Sequence, residues 1–180
     1  MEANEAQELK EQAEKGAESA LRPVAFTMSV LAVLVAVTTV LGHRTHTEAV
    51  LFQNQATDQW NEYQARHIRT HDTELASDML ANLPVTDKTA TAKLEQTWKD
   101  AVAKSTQDQK DDKEKAEGLE KKVEQAEARA NRFDLGEALL EIGLVITSVT
   151  LLTRSRIYWY LGMIFALGGI LSAASSFLLQ

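Results

Sequence analysis

NLPVTDK, residues 82–88, is the one clear break in a long stretch of chain that otherwise reads as helix. Between Gly42 and Asp134 the only proline is Pro84 and the only further glycine is Gly118, in a background of Ala, Glu, Gln, Lys and Asp. That composition makes long helices. A residue before proline is pushed out of helical backbone, so one helix is predicted to end at Leu83 and Pro84, with Thr86 or Asp87 capping the next. At 1.5 Å rise per residue the segment 42–83 would rise roughly 63 Å and 87–134 roughly 72 Å. The chain goes out, turns once and comes back.

Either side of this hairpin the sequence becomes apolar. Val24–Leu41 and Leu135–Leu152 are runs of 18 residues, and Ile157–Leu179 is a run of 23. These lengths span roughly 27 to 35 Å, which suits a hydrocarbon core about 30 Å thick. The sequence therefore predicts an all-α membrane protein with three transmembrane helices, at 23–42, 135–152 and 157–179. The first two extend into a long antiparallel, coiled-coil-like hairpin over 43–134, outside the membrane, with its turn at 83–87. Residues 1–22 carry six glutamates and a weak stripe of Ala6, Leu9, Ala13, Ala17 and Ala20, which predicts a short acidic N-terminal helix before Pro23. An acidic segment with no small-residue cleavage pattern is unlike a signal peptide, so the first span is expected to remain as an anchor.

Composition excludes several chemistries. With no cysteine there are no disulfides, thiolate metal sites or cysteine nucleophiles. The net charge of −7 is spread along the chain without a basic face, so nucleic acid is not an expected partner. No serine elbow, glycine-rich phosphate loop or H-E-x-x-H helix is present, so neither an enzyme nor a cofactor is expected.

The seam of the hairpin can be read in part. Ala116, Leu119, Val123, Ala126, Ala130 and Phe133 alternate three and four apart on the returning arm, a heptad pattern with small residues that allow close approach. Ala49, Phe52, Ala56, Trp60 and Tyr63 do nearly the same on the outgoing arm. Phe52, Trp60, Tyr63, Leu119 and Val123 are therefore the candidate hairpin or partner interface. KSTQDQKDDKEK, residues 104–115, has no large apolar residue and predicts a solvated stretch or a loosened coil. Leu75, Met79, Leu83, Leu94, Trp98 and Val102 are expected to cluster at the tip. So thin a hairpin leaves much of each helix facing water, which points to a homo-oligomer or a subunit of a larger membrane protein complex.

Within the second apolar run, Glu137 continues the heptad and Glu141 lies one turn on. Both are expected to face the first span, where Thr27, Ser29, Thr38 and Thr39 offer hydroxyl groups, and at least one is expected to be neutral. The competing reading makes them a proton or cation path. On the third run Gly168, Ser172 and Ser176, with Gly169 and Ala173 beside them, form a small-residue face that favours helix packing. Two histidine pairs, His43/His46 and His67/His71, share helix faces. His67 and His71 are weak metal candidates, since no third ligand motif accompanies them, and pairing with acids of the opposite arm is an equal use. Tyr158, Trp159 and Tyr160 read as an interfacial aromatic belt.

GHRTHTEAVLFQNQATDQWNEYQARHIRTH, residues 42–71, preceded by LAVLVAVTTVL, resembles a bacterial family of membrane proteins classed only as a domain of unknown function. The resemblance covers the acidic N-terminus, the first span, the DQW-x-x-Y segment at Asp58, Gln59, Trp60 and Tyr63, the polar middle and both later spans. It implies a multi-pass protein of the bacterial inner membrane and carries no catalytic residues with it. The two arginines of the short TRSR turn, Arg154 and Arg156, favour a cytoplasmic N-terminus and turn with the hairpin in the periplasm. The expectation is thus a non-enzymatic membrane-anchored scaffold or accessory subunit acting through helix–helix contact. Its alternative is a small oligomeric channel or proton-linked transporter using Glu137 and Glu141.

Overall fold

The computed structural model describes the backbone of residues 3–84 and 87–178, and the side chains of residues 21–84 and 87–178. The acidic stripe of residues 1–20 and the candidate cap Thr86 lie outside the described side chains. Among the described residues every regular element is helical: α1 (Ala3–Ala81), α2 (Lys88–Thr153), α3 (Arg156–Ser175) and a closing 3-10 turn, Ser176–Leu178. Three helices are long and apolar enough to cross a membrane.

The acidic segment is not a separate short helix, because α1 runs unbroken through Pro23. Proline removes one helical N–H donor, and the surrounding turns hold the helix; the Thr27 hydroxyl donates to the Pro23 carbonyl at 2.8 Å. The first long helix stops at Ala81, two residues before the predicted Leu83. There the N–H groups of Asn82 and Leu83 tighten onto the carbonyls of Met79 and Leu80 at 3.1 and 3.3 Å. Asp87 caps α2, its Oδ1 accepting the N–H groups of Thr89 and Ala90, each at 3.0 Å. At the other end of α2 Arg154 takes the left-handed backbone, φ 54°, and its N–H bonds the Thr150 carbonyl at 2.8 Å.

The chain forms two compact units, residues 1–47 with 125–180, and residues 48–124. In the first, α1 and α2 run antiparallel: Thr39 meets Glu137, and His46 meets Asp134. Seam positions alternate three and four apart, with Val24, Leu31, Thr38, Gly42 and Thr45 buried on α1 and Ala126, Ala130, Phe133 and Leu140 buried on α2. Leu31, Leu140 and Ala166 form the core where the three helices meet.

Helix α3 returns antiparallel along α2 at backbone distance. Gly136 faces Gly169 and Gly143 faces Gly162, two glycine pairs one heptad apart on both helices. A Cβ added to Gly143 would stand 2.8 Å from the Gly162 carbonyl oxygen, and one added to Gly169 would stand 2.7 Å from that of Gly136. The face of α3 that packs on α2 is thus Gly162, Ala166, Gly169, Ala173 and Ser176, at heptad spacing. Of the four-residue stripe Gly168, Ser172 and Ser176, Ser176 joins this face in the closing turn, while Gly168 and Ser172 lie beside it. A Cβ on Gly168 would make only an ordinary 3.7 Å contact with Leu139.

This unit is turned inside out relative to a water-soluble core. Thr38, Thr45, Thr147, Thr150 and Ser176 are buried, while Phe26, Val33, Val40, Val145, Leu152, Ile164 and Leu171 are exposed.

In the second unit α1 and α2 again run antiparallel, with Trp60 opposite Glu120, Arg66 opposite Asp112 and Thr70 opposite Ser105. Ala49, Ala56, Ala116 and Val123 are its buried apolar positions.

Gly143→Ala and Gly169→Ala are expected to lower stability by about 1–3 kcal/mol each through overpacking, against the small gain in helix propensity from alanine. Gly168→Ala should be neutral or mildly stabilising. Reversible unfolding of the three variants in mixed detergent micelles makes the comparison.

Candidate functional site

In the first unit two polar contacts join α1 to α2 along one flank of the pair. The Thr39 hydroxyl donates to Glu137 Oε1 at 2.6 Å, and the same hydroxyl reaches the Val35 carbonyl at 2.9 Å. One turn away, His46 Nε2 lies 2.9 Å from Asp134 Oδ2, with both side chains half exposed. Glu137 thus faces α1. Glu141, expected beside it, does not. It is exposed and has no hydrogen bond or ion pair among the described residues. The reason is angular: four residues advance a helix by more than one turn, so Glu141 leans onto the flank while Leu140 takes the seam.

On the opposite flank α3 closes over the pair. Trp159 Nε1 donates to Thr27 Oγ1 at 3.3 Å, and Phe133 meets Phe177 edge-on with centroids 5.9 Å apart. Ser172 donates to the Arg132 carbonyl at 2.9 Å, which ties α3 to α2 from beside the glycine face. Between α1 and α3 runs an apolar groove of about 220 Å³ bordered by Phe26, Leu34, Met163 and Leu167.

The second unit is held by a polar seam that the apolar pattern could not reveal. Its centre is Arg66, whose Nε donates to Asp112 Oδ2 at 2.7 Å, with further bonds to Asp108 at 3.0 Å and Glu62 at 3.1 Å. The Asp112 side chain is 5% exposed and the Arg66 side chain 26%. The Asp112 hydrogen bond, reinforced by nearby negative charge, raises the Arg66 pKa above its ordinary value despite desolvation, which acts the other way. Gln59 donates to the second Asp112 oxygen at 3.3 Å. Beyond it, Thr70 shares a 2.6 Å hydroxyl contact with Ser105 and accepts from Gln109 at 2.8 Å.

Residues 104–115 are mostly solvent-exposed, as their composition predicts, but they are not a loosened coil. They are helical, and Ser105, Asp108, Gln109 and Asp112 bond across the seam. The signal was available only by counting on in steps of three and four from Ala56 through Gln59, Tyr63, Arg66 and Thr70, without requiring apolar residues.

The remaining candidates divide. Phe52 is half-buried under the Lys122 ammonium, 5.6 Å from its ring centroid. Leu119 is half-buried and Val123 buried on α2. Trp60, half-buried, sits beside the seam position taken by Gln59, and its indole donates to Glu120 Oε1 at 2.8 Å. Tyr63 packs edge-on to Trp60 and stacks on His67. His67 contacts the Gln109 amide at 3.1 Å, whereas His71 lies 3.9 Å from Glu74 on its own helix. Among the described residues no three His, Asp or Glu side chains are grouped to hold a metal.

The predicted tip cluster does not close. Trp98 and Val102 are half-buried and border a hollow with Ser77, but Leu75 and Met79 are 50% and 61% exposed on the outer side of α1. Leu83, past the end of α1, is 60% exposed and Leu94 41%; Ile68, outside the predicted cluster, is 59% exposed on the same side of α1. Heptad counting explains it, since positions 68, 75 and 79 fall opposite the seam.

The model of one family, described as a domain of unknown function (DUF4337), matches residues 20–179. The chain belongs to this family. The match takes in all three long apolar stretches, the second compact unit and most of the first, so the polar seam and the glycine pairs lie within the DUF4337 region. No curated protein and no solved structure matches the chain.

Asp112→Ala is expected to destabilise the second unit more than Asp108→Ala or Glu62→Ala, because it strips the most buried partner from Arg66. The double change Arg66→Met with Asp112→Leu should recover most of the loss. Hydrogen exchange across residues 56–70 reads the order. In the first unit, Thr39→Val should cost about 1 kcal/mol in mixed-micelle unfolding through loss of the Glu137 bond.

Proposed function

We infer that the chain is a non-enzymatic, membrane-anchored scaffold or accessory subunit of a larger complex in a bacterial inner membrane. In this reading the first unit is the anchor, with α1 crossing near residues 24–41, α2 near 135–152 and α3 along its length. Its inverted character supports this, because large apolar side chains facing outward and hydroxyl groups facing inward suit lipid rather than water. The second unit lies outside the membrane, on the periplasmic side if the paired arginines of the TRSR turn hold the N-terminus in the cytoplasm.

The observation that carries the functional reading is the distribution of side chains in the second unit. Its seam is occupied largely by alanine, threonine, serine and hydrogen-bonded charged groups, yet Ile68, Leu75, Met79 and Leu83 face out. A helical pair that needed only itself would bury those four. Large apolar side chains collected on one outer face favour a protein partner. Glu137, occupied by Thr39, fits a packing role better than a conducting one.

Replacing Leu75 and Met79 together with lysine is expected to leave helicity and membrane retention unchanged while abolishing co-purification of a stoichiometric partner in mild detergent. A photo-crosslinking amino acid at position 79 should label that partner, and one at Asn61 should not. Native complexes whose mass and composition are unaffected by the double lysine variant would refute the reading.

A further inference from the structure

On α2, Asp134, Glu137 and Glu141 are spaced three and four apart and share a helix face. On α1, Ala32, Ala36, Thr39, His43 and His46 do the same. The Thr39–Glu137 and His46–Asp134 contacts fasten these faces along one flank. Helix α3 occupies the other, against Gly136 and Gly143. The first flank is uncovered. Glu141 stands on it without a partner among the described residues, and Ala32, Ala36 and Ala138, all exposed and small, leave room for a helix backbone to come close.

Register gives its depth. Glu137 is level with Thr39, so Glu141, one turn on, is level with Val35, which is roughly 9 Å inside the end of the α1 apolar run at Leu41. Gly143 faces Gly162, which sets Glu141 near Ile164, roughly 12 Å from the start of α3. With the first unit read as the membrane anchor, on which this inference rests, the carboxyl group faces hydrocarbon with nothing to bond, an arrangement that membranes penalise.

We propose that Glu141 centres an intramembrane interface between two copies of this chain, in which the two Glu141 carboxyl groups hydrogen-bond each other. Symmetry selects the second copy. All copies insert the same way round, so the two-fold axis relating a pair runs along the membrane normal and sets residues near it opposite their own counterparts at equal depth. A different partner would need a polar group at that depth by coincidence, whereas a second copy has one by construction. The chemistry agrees, since a carboxylic acid both donates and accepts and is therefore its own complement.

The chain has no cysteine, so single-cysteine variants report proximity directly. In oxidised native membranes Ala138→Cys, one turn from an intact Glu141 on the uncovered flank, is expected to form a disulfide dimer, which requires Cα atoms within about 7 Å. Leu171→Cys, on the exposed outer face of α3, should form several-fold less. In mild detergent Glu141→Gln, which still donates and accepts, should keep the mass of the dimer, and Glu141→Leu should run as monomer. Equal crosslinking at 138 and 171, a dimer that survives Glu141→Leu, or a different protein joined at position 138 would each overturn the proposal. An alkaline carbonate wash separates the two levels: chain washed from the membrane defeats the anchor reading, while chain retained but not crosslinked at 138 defeats the pairing alone.

Discussion

Backbones that approach as closely as those at Gly143 and Gly162 leave no room for a side chain between them, and the rest of the first unit is arranged around that closeness. Small residues recur every heptad because a larger one would wedge the helices apart. Bulk displaced from the interface has to go outward, which is why valine, leucine and isoleucine cover the exterior while threonine and serine fill the interior. Such a unit gains little from removing apolar surface from water. It is held by dispersion contacts, by a few interhelical hydrogen bonds and by the Leu31, Leu140 and Ala166 core.

The second unit meets the same geometric demand by different means. Its seam keeps alanine at Ala49, Ala56 and Ala116 but hands the centre to Arg66 and Asp112. A charge-assisted bond is stronger and more directional than an apolar contact, and the guanidinium fork donates to both Asp108 and Asp112 of the opposite helix only when the two helices sit in one register. Thr70, Ser105 and Gln109 extend that matching for another turn. Specificity here comes from donors and acceptors rather than from shape. The cost is that little large apolar surface is buried, so Ile68, Leu75, Met79 and Leu83 remain outside.

Much of this was legible before any coordinates. Helical composition, one proline break and three apolar runs give three long helices joined by two turns. The Ala116 to Phe133 repeat gives the packed face of α2, and Gly169, Ala173 and Ser176 belong to the face of α3 that meets it. What escaped was polar. Arg66 and Asp112 carry no hydrophobic signal, so residues 104–115 read as loosened when they are among the best-bonded parts of the seam. Gly136, Gly143 and Gly162 carry no signal either, because a glycine inside an apolar run looks the same whether it faces another glycine or nothing. Leu75 and Met79 were assigned to a cluster on hydrophobicity alone, although their heptad position turns them away.

By itself, then, the sequence determined the all-helical character, the break near Pro84 and three stretches long and apolar enough to cross a membrane, because propensity, capping and hydropathy are local properties of the chain. Only the tertiary structure decided which flank each polar group occupies. Glu137 and Glu141 are four residues apart, yet one is bonded to Thr39 and the other is uncovered. That difference depends on the angle at which two helices cross and on where the third one settles, and neither is encoded in the spacing of residues along a single helix.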